Sequence, residues 1–327
     1  MLSISHDKIT RKLSQECYDS KYLWKVVKTY VDELSWGTDP KVLSIDDSIE
    51  EKQYTDESEL VCWHFDHTFN RPVKGVNFIT ALLEVKGMRL PCCVEFIKKD
   101  KWETDAKTGK EKRVASKTKN ELFREIATIC RKNFRFDYIA CDSWFSSSEN
   151  MRHVKQGPGV NFVMALKSNR KVALSEDDKR KNVYVGIETL QPGQQPVEIW
   201  LEKLDFPLLL TRQVFKNEDD TVGELYLACS DLSLTSGQIS AIYKKRWGVE
   251  EYHKSLKSNL CFAKSPTKTT KTQLNHFHLC IIGYVKLEFL KQRTELNHFA
   301  MKTKIYQAAI SAAHDALKKL STVKSVA

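Results

Sequence analysis

The sequence predicts an α/β fold in which a mixed β-sheet is flanked by helices. Short apolar runs that end in acidic residues alternate with segments of helical periodicity. A turn at Lys86-Gly87 joins two long apolar runs, which indicates a β-hairpin. Of the 327 residues, 41% are hydrophobic and 29% are charged, a balance that excludes a mainly disordered or collagen-like chain.

The first 40 residues are predicted to form two helices. Ser5 is a candidate N-cap for a helix through Ile9 and Leu13, and apolar spacing predicts a second helix from Leu23 to Leu34. The stretch Gly-Thr-Asp-Pro at 37–40 ends the second helix, because glycine and proline disfavour helix continuation. The sheet is therefore expected to begin near residue 41.

Residues 41–169 carry the pattern of the sheet itself. The predicted strands are Lys41–Asp47, Val73–Glu84, Met88–Lys98, Phe136–Asp142 and Asn161–Leu166. Residues 99–117 are rich in charge and are interpreted as a loop. Thr118 and Glu121 form a capping box for a helix that ends near residue 133, and Ser146 begins a short helix that ends at 157–159.

Residues 170–234 change character and are predicted to be an all-β insertion. They contain four β-like runs separated by turn-rich stretches. A single helix is then expected from a cap at Thr235 to about Asn259, followed by helices at Thr272–Lys291 and His298–Leu320. This order of elements resembles a ribonuclease-H-like core with a β insertion before its late helix.

The positive charge of the chain is concentrated near its end. The net charge is +10, and residues 241–327 hold 16 Lys and Arg against 5 Asp and Glu. A local excess of this kind attracts a polyanion such as nucleic acid, although a solvated helical surface is the alternative. The longest apolar stretch, Leu279–Val285, is far shorter than the roughly 20 residues that span a bilayer, so no membrane partner is expected.

Two further features favour the cytosol. The first residues lack the apolar core of a secretory signal. The nine cysteines include no Cys-x-x-Cys pair, and an odd number without a framework favours reduced thiols.

Three acids have positions that suggest a shared site. Asp47 and Asp142 end predicted strands, and Glu250 lies on the capped helix. Carboxylates at strand ends gather at one edge of an α/β sheet, and such oxygen ligands suit Mg²⁺ or Mn²⁺. Two ions about 4 Å apart can support phosphodiester cleavage. The alternative is three unrelated solvated acids.

The helix that carries Glu250 has an unusual face. At about 100° per residue, Tyr243, Arg246, Glu250 and Lys257 fall on one stripe about 60° wide. These residue types do not make an apolar core stripe. One carboxylate beside two cations and a phenol suits a phosphate-bearing strand next to a metal, whereas a salt-bridged surface face is the alternative.

The spacing Tyr-x2-Arg-x3-Glu-x6-Lys on this helix resembles the signature of transposases of the insertion-sequence-four group, in the DDE (Asp-Asp-Glu) class. The similarity also extends, in chain order, over Ile45–Ser48 (IDDS), Ala140–Ser147 (ACDSWFSS), Asn161–Arg170 and Asp231–Thr267. It covers roughly residues 40 to 320. Ser48 stands where the group usually has Thr.

The resemblance implies roles for these residues. Asp47, Asp142 and Glu250 would be the catalytic triad and the ligands of two Mg²⁺ (or Mn²⁺) ions. Asp46 remains an alternative to Asp47, because neighbouring residues on a strand face opposite ways. Tyr243, Arg246 and Lys257 would hold the DNA end near its cleaved phosphate, and Trp200 would stack on a flipped-out base or else be a core residue. Position alone adds Lys254, which flanks the stripe, and Lys167 and Arg170, which follow a predicted strand and would reach a phosphate or else have a plain surface role.

The resemblance also implies an organisation and a function. Relatives usually carry more helical sequence at the front, so residues 1–40 are interpreted as the remnant of a DNA-binding region. Residues 41–169 would be the first part of a catalytic core, 170–234 the β insertion, 235–260 the core helix and 261–327 a basic helical region.

The expected protein is a bacterial insertion-sequence transposase that cleaves element ends and joins them to target DNA. It would act as a homodimer in the synaptic complex, in the cytosol and nucleoid-associated when bound. The alternatives are a catalytically silent DNA-binding regulator of transposition and a general nuclease.

Overall fold

The computed structural model describes residues 6–34, 37, 39–67, 69–106, 108–190, 192–193, 195–216, 220–265 and 267–323. The predicted cap Ser5 lies outside them. The helices of this part are α1 (His6–Gln15), α2 (Ser20–Leu34), α3 (Lys119–Asn133), α4 (Ser148–Gln156), α5 (Glu176–Arg180), α6 (Ser236–Lys244), α7 (Trp247–Asn259), α8 (Thr270–Thr294) and α9 (His298–Val323).

The strands include the five predicted within residues 41–169, but the first of them continues to Glu51, so Asp47 does not end it as the sequence predicted. They are β1 (Val42–Glu51), β2 (Cys62–Asp66), β3 (Arg71–Val85), β4 (Met88–Phe96), β5 (Lys101–Thr104), β6 (Glu111–Val114), β7 (Tyr138–Cys141), β8 (Asn161–Leu166), β9 (Lys171–Val172), β10 (Val185–Gly186), β11 (Val197–Ile199), β12 (Leu208–Lys216) and β13 (Val222–Cys229).

The main sheet is mixed, as the sequence predicts. Its order is β11-β12-β13-β8-β7-β1-β3-β2, and β4 also pairs with β3. Strands β1, β7 and β8 are parallel to one another, whereas β3 is antiparallel to both β1 and β4. This central arrangement, with helices packed against it, is consistent with a ribonuclease-H-like fold.

Successive side chains of β1 alternate between the two faces of the sheet, and its first residues belong to different hydrophobic clusters. Leu43 and Ile45 belong to the larger cluster, which also contains Phe123 of α3. Val42 belongs to the smaller cluster, together with Ile239 of α6. Because successive residues of a strand face opposite ways, this alternation fixes where the acids farther along β1 point.

The two N-terminal helices pack against the rest of the protein. In α2 the side chains of Leu23, Val27 and Val31 are fully buried, and the helix contacts β4. The buried Asn275 of α8 donates hydrogen bonds to the carbonyl oxygens of Leu13 and Glu16. Residues 6–34 therefore share the main core.

Residues 99–117 contain a β-hairpin, which corrects the prediction of a loop. Strands β5 and β6 pair between Lys101 and Val114, and Gly109 adopts a positive φ in the turn. All four residues of β5 are exposed. A strand without an apolar face gives no periodic signal, which explains why the sequence pattern did not reveal it.

The segment 170–234 is not purely β, so the prediction of an all-β insertion is not confirmed. It contains helix α5, which Ser175 caps, and a single 3-10 turn at Ile187–Thr189. Strands β11, β12 and β13 extend the main sheet beyond β8, because β13 pairs with β8. Short acidic helices of this kind are stabilised by their caps rather than by apolar periodicity.

The helix predicted from Thr235 to Asn259 is interrupted, which is a second correction. The capping box of Thr235 and Gln238 is present, but α6 ends at Lys244 and α7 begins at Trp247. Around the break the backbone bonds connect residues three apart, as in the bond from the Arg246 N–H to the Tyr243 carbonyl. This tighter 3-10 turn separates the two helices next to Arg246.

Candidate active site

An open cavity of about 900 Å³ lies where β1 and β7 end beside α7. Four acids selected from the sequence line it: Asp46, Asp47, Asp142 and Glu250. The structure therefore brings together carboxylates that are far apart in the chain. The edge at the carboxyl ends of parallel strands is where α/β sheets usually bind ligands.

The strand register determines which carboxylates share a face. Ser44 of β1 is paired with Ala140 of β7 in the parallel ladder, so two residues farther along Asp46 is level with Asp142. Both then point to the side of the sheet that α6 and α7 cover. Asp47 points to the opposite side, in line with Ile45.

The environment of Asp46 is unusual for a carboxyl group. Burial raises the pKa of Asp46 to about 8, the negative charge of Asp142 raises it too, and Arg246 lowers it. Burial also raises the pKa of Asp142. The charge of Asp142 raises the pKa of Asp46, and the charge of Asp47 raises the pKa of Asp142, so these partly buried carboxyl groups form a site in which added positive charge is stabilising.

Asp47 is engaged by a cation from a different element. Its Oδ2 atom lies 2.6 Å from the Nζ atom of Lys119, at the start of α3. The capping box of Thr118 and Glu121 begins α3 and so positions Lys119. This ion pair keeps the Asp47 carboxylate on the α3 side of β1.

Arg246 links Asp46 to Glu250. Its guanidinium lies 3.5 Å from Oδ2 of Asp46 and 3.0 Å from Oε1 of Glu250. The guanidinium also lies 5.4 Å from the ring centres of Tyr243 and Trp247, so two aromatic faces hold it in place. The break between α6 and α7 places this side chain over the strand end.

The carboxylate oxygens that line the cavity are suitable ligands for a divalent cation, but they are too far apart to share one in this arrangement. Carboxylate oxygens are the ligands that Mg²⁺ and Mn²⁺ prefer. Within the described part of the chain, no three His, Cys, Asp or Glu side chains lie close enough to hold a metal ion. Glu250 is turned towards Arg246 and Asp47 towards Lys119, so a shared ion would require these two ion pairs to open.

The stripe predicted on one helix is divided by the helix break. Tyr243 is buried in the smaller cluster, where burial raises its pKa to about 12, and it does not line the cavity. Lys257 does line it, donating to the Ile49 carbonyl oxygen with Nζ 3.6 Å from Glu50. The buried ring of Tyr243 lies behind Arg246, with its centre 5.4 Å from the guanidinium.

The other predicted DNA-binding residues are dispersed. Lys254 lines the cavity. Lys167 lies beside it, with Nζ 5.8 Å from the ring centre of Trp144. Arg170 donates to the Ser148 hydroxyl at 2.9 Å. Trp200 lies outside the cavity lining, where its backbone pairs with Ala173.

Some lining residues were not selected from the sequence. Lys119, Phe65, His67 and Trp144 all line the cavity. Trp144 falls within the ACDSWFSS segment, whereas no sequence pattern indicated Lys119. Trp144 lies two residues after Asp142, the acid that follows β7. That position is the signal that could have identified Trp144 from the sequence.

Two models of known protein families match the chain. Residues 108–286 match the family described as "Transposase DDE domain", and residues 2–186 match "DDE superfamily endonuclease". Each match covers more than half of the chain. This chain belongs to the DDE transposase family. Enzymes of this family generally require divalent cations and act on DNA.

Other comparisons add little. No curated protein matches the chain. Endonuclease V from Bacillus subtilis is a structural match with 9% identity that covers 89% of this chain and 95% of that chain, with a TM-score of 0.26. At that level of similarity nothing follows for this DDE protein. None of its described helices combines the length and apolar character that a bilayer crossing needs.

Proposed function

We propose that this protein is an insertion-sequence transposase that cleaves DNA at the ends of its element and joins them to target DNA. The observation that carries the proposal is the common orientation of Asp46 and Asp142 towards one cavity that Glu250 also lines. Membership in the DDE family supports the same chemistry.

We propose Asp46 rather than Asp47 as the first acid of the triad. Asp46 faces Arg246, whereas Asp47 faces Lys119. Arg246 contacts both Asp46 and Glu250, so these two carboxylates are neighbours, whereas Asp47 lines the cavity from the α3 side. The sequence alone left this choice open.

Asp46, Asp142 and Glu250 would hold two Mg²⁺ or Mn²⁺ ions. When bound, such ions activate a water or a 3′ hydroxyl group and stabilise the leaving oxygen of the phosphodiester. When DNA binds, Arg246 would leave Glu250 and donate a hydrogen bond to a non-bridging phosphate oxygen instead. Lys254 and Lys257, on the same helix, would bind the phosphates on either side.

The remaining assignments are proposals that follow from the resemblance. The Tyr243, Arg246, Glu250 and Lys257 spacing supports membership in the insertion-sequence-four group. We expect a homodimer in the synaptic complex, a bacterial cytosolic location with nucleoid association, and an N-terminal region that contributes to DNA binding.

The test uses DNA duplexes that carry the sequences flanking the reading frame, incubated with the purified protein and Mg²⁺. Asp46→Asn, Asp142→Asn and Glu250→Gln should each reduce strand cleavage to background while the thermal unfolding transition remains cooperative. Asp47→Asn is the matched control and should retain cleavage within about tenfold of the wild type, because its removal changes a supporting ion pair only.

Each outcome is informative. Loss of cleavage in Asp47→Asn with retention in Asp46→Asn would overturn the choice of Asp46. Specific binding of the ends without cleavage in Mg²⁺ or Mn²⁺ would identify a silent regulator. Cleavage that ignores the end sequence would identify a general nuclease.

A further inference from the structure

Arg89 reaches from the β3–β4 hairpin to the start of α7. It is the second residue of β4, and its Nη1 atom donates a hydrogen bond to Oε2 of Glu251 on α7. Its Nε atom lies so close to Gly248 that a Cβ atom at that position would be 2.6 Å away. None of these three residues lines the cavity. Arg89 therefore contacts the helix that carries Glu250 from outside the candidate site.

The close approach explains why position 248 is a glycine. Gly248 is the second residue of α7, and glycine is a poor helix former because it loses more conformational freedom on folding than other residues do. A side chain there would displace the Arg89 guanidinium, whereas glycine lets it pack against the helix backbone. The contact thus depends on two matched residues and is more than a pairing of surface charges.

Arg89 is itself held in place by the core and by the sheet. Its backbone N–H donates to Oε2 of Glu288 at 3.0 Å, and Glu288, on α8, is only 2% exposed. Its Nε atom lies 3.9 Å from Oε2 of Glu84, the residue opposite it in the β3–β4 ladder. A residue restrained at both its backbone and its head group can act as a rigid support for a neighbouring element.

The same strands connect Arg89 to the first acid. Glu84 of β3 is also paired with Val42 of β1, and Asp46 lies four residues farther along β1. Lys245, between α6 and α7, has its Nζ atom 3.9 Å from Oε1 of Glu84. The start of α7 is therefore attached, through the cations Arg89 and Lys245, to the strands that position Asp46.

The first turn of α7 has no side-chain cap of its own. Arg246 stands at the N-cap position and makes no capping hydrogen bond there, whereas α6 has a complete capping box. Gly248 and Glu251 lie on either side of Glu250 in this turn. Any shift or rotation of the turn moves the Glu250 carboxylate with it. A contact from another element, such as that of Arg89, then helps to fix where Glu250 lies.

We propose that Arg89 is a positioning residue for Glu250, which it acts on through Gly248 and Glu251. By fixing the first turn of α7 against the sheet, it sets the place of the Glu250 carboxylate relative to Asp46. The inference rests on the proposed function, because it takes these carboxylates as the ligands of the divalent ions. Residues that orient metal ligands without touching the metal commonly change metal affinity by 10- to 100-fold on mutation.

The test measures how tightly the site binds Mn²⁺. Full-length variants, mixed with a duplex that carries the sequences flanking the reading frame, are titrated with Mn²⁺, and free Mn²⁺ is measured by electron paramagnetic resonance. Asp142→Asn defines the binding that does not depend on the site. Arg89→Gln should raise the Mn²⁺ dissociation constant about tenfold, because Glu250 is no longer held in place. Glu251→Gln should raise it less, since Glu84 still restrains Arg89.

Gly248→Ala tests the same contact from the other side. Arg89 and its acidic partners are unchanged, but the new Cβ atom would push the guanidinium away, so the Mn²⁺ dissociation constant should rise about as much as in Arg89→Gln. The double variant should bind Mn²⁺ no more weakly than the weaker single variant, because both changes remove one contact. Strictly additive effects would overturn the proposal.

The control variant is Arg212→Gln. Arg212 pairs with Glu224 between β12 and β13, its side chain is 22% exposed against 24% for Arg89, and it does not line the cavity. It should bind Mn²⁺ within about twofold of the wild type even where its thermal unfolding changes as much as that of Arg89→Gln. Equal Mn²⁺ affinity in wild type and Arg89→Gln, an equal loss in Arg212→Gln, or no site-dependent Mn²⁺ binding by the wild type would each overturn the proposal.

The two proposals fail separately. If the wild type cleaves element ends but Arg89→Gln binds Mn²⁺ normally, the positioning role is wrong and the transposase function stands. If Mn²⁺ binding depends on Arg89 and Gly248 but the wild type cleaves no element ends, the positioning role stands and the proposed function is wrong.

Discussion

Lys119 and Asp47 form an ion pair across the sheet edge, with 2.6 Å between Nζ and Oδ2. The pair joins the first turn of α3 to the strand that also carries Asp46. Lys119 and Asp47 side chains are only 24% and 19% exposed. The contact therefore holds the α3 side of β1, opposite the face to which Asp46 points.

A double-mutant cycle on this pair should show positive coupling. Lys119→Met and Asp47→Asn should each lower the free energy of unfolding, and the double variant should lose less than the sum. We expect a coupling of about 1 kcal/mol, since the pair is partly shielded from solvent but not fully buried. Urea unfolding of the four proteins measures it. Strict additivity would show that the contact does not stabilise the fold.

Arg246→Gln should destabilise the protein more than Arg246→Lys does. The glutamine variant leaves Asp46 and Glu250 without their shared cation, and Arg246 itself is only 8% exposed. We expect a loss of about 2–3 kcal/mol for the glutamine variant and a smaller one for lysine, which keeps a charge but cannot reach both carboxylates.

Denaturant unfolding at pH 7 compares the two Arg246 variants with the wild type. Lys291→Gln serves as a surface control on α8, where the Lys291 Nζ lies 3.5 Å from Glu288. Equal stabilities for Arg246→Gln and wild type would contradict the bridging role of this side chain.

Gly75→Ala should be strongly destabilising. A Cβ atom there would lie 2.3 Å from the backbone oxygen of Glu50 on the paired strand β1, and backbone atoms cannot rotate away as a side chain can. We expect the free energy of unfolding to fall by about 1–3 kcal/mol or more. In Gly237→Ala, the control, the new Cβ meets nothing within 4 Å in α6, and helix propensity predicts a neutral or slightly stabilising change. Thermal unfolding distinguishes the two.

Acidification should destabilise the protein partly through His64. Burial lowers the pKa of His64 from 6.5 to about 3, so between these values the unfolded chain binds a proton that the folded protein does not. The contribution of neutral His64 to the free energy of unfolding is intact above pH 6.5. It is lost as the pH falls from 6.5 towards 3, by at most about 1.4 kcal/mol per pH unit.

The measurement is urea unfolding of wild type and His64→Gln at pH 7, 6 and 5. The variant should lose less stability on acidification than the wild type. His314→Gln, on the exposed part of α9, should follow the wild-type dependence. Identical slopes for His64→Gln and wild type would mean that burial of His64 does not contribute to the acid sensitivity.

The sequence determined which elements form the sheet and which residue types gather at its edge. Apolar runs, capping boxes at Thr118 and Thr235, and the turn at Lys86-Gly87 each depend on neighbours within a few residues, so they can be recognised without the fold. Asp142 and Glu250 were identified for the same reason, since a strand end and a helix face are local features.

Only the tertiary structure decided that Asp46 faces Arg246 whereas Asp47 faces Lys119, because the direction of each side chain depends on strand register and on which helix covers which face of the sheet. The interruption of the helix next to Arg246 was likewise not visible in the local sequence pattern. Phe65 and Trp144 could not be placed together from the sequence, because they are 79 residues apart in the chain and only the folding of the sheet brings them to one cavity.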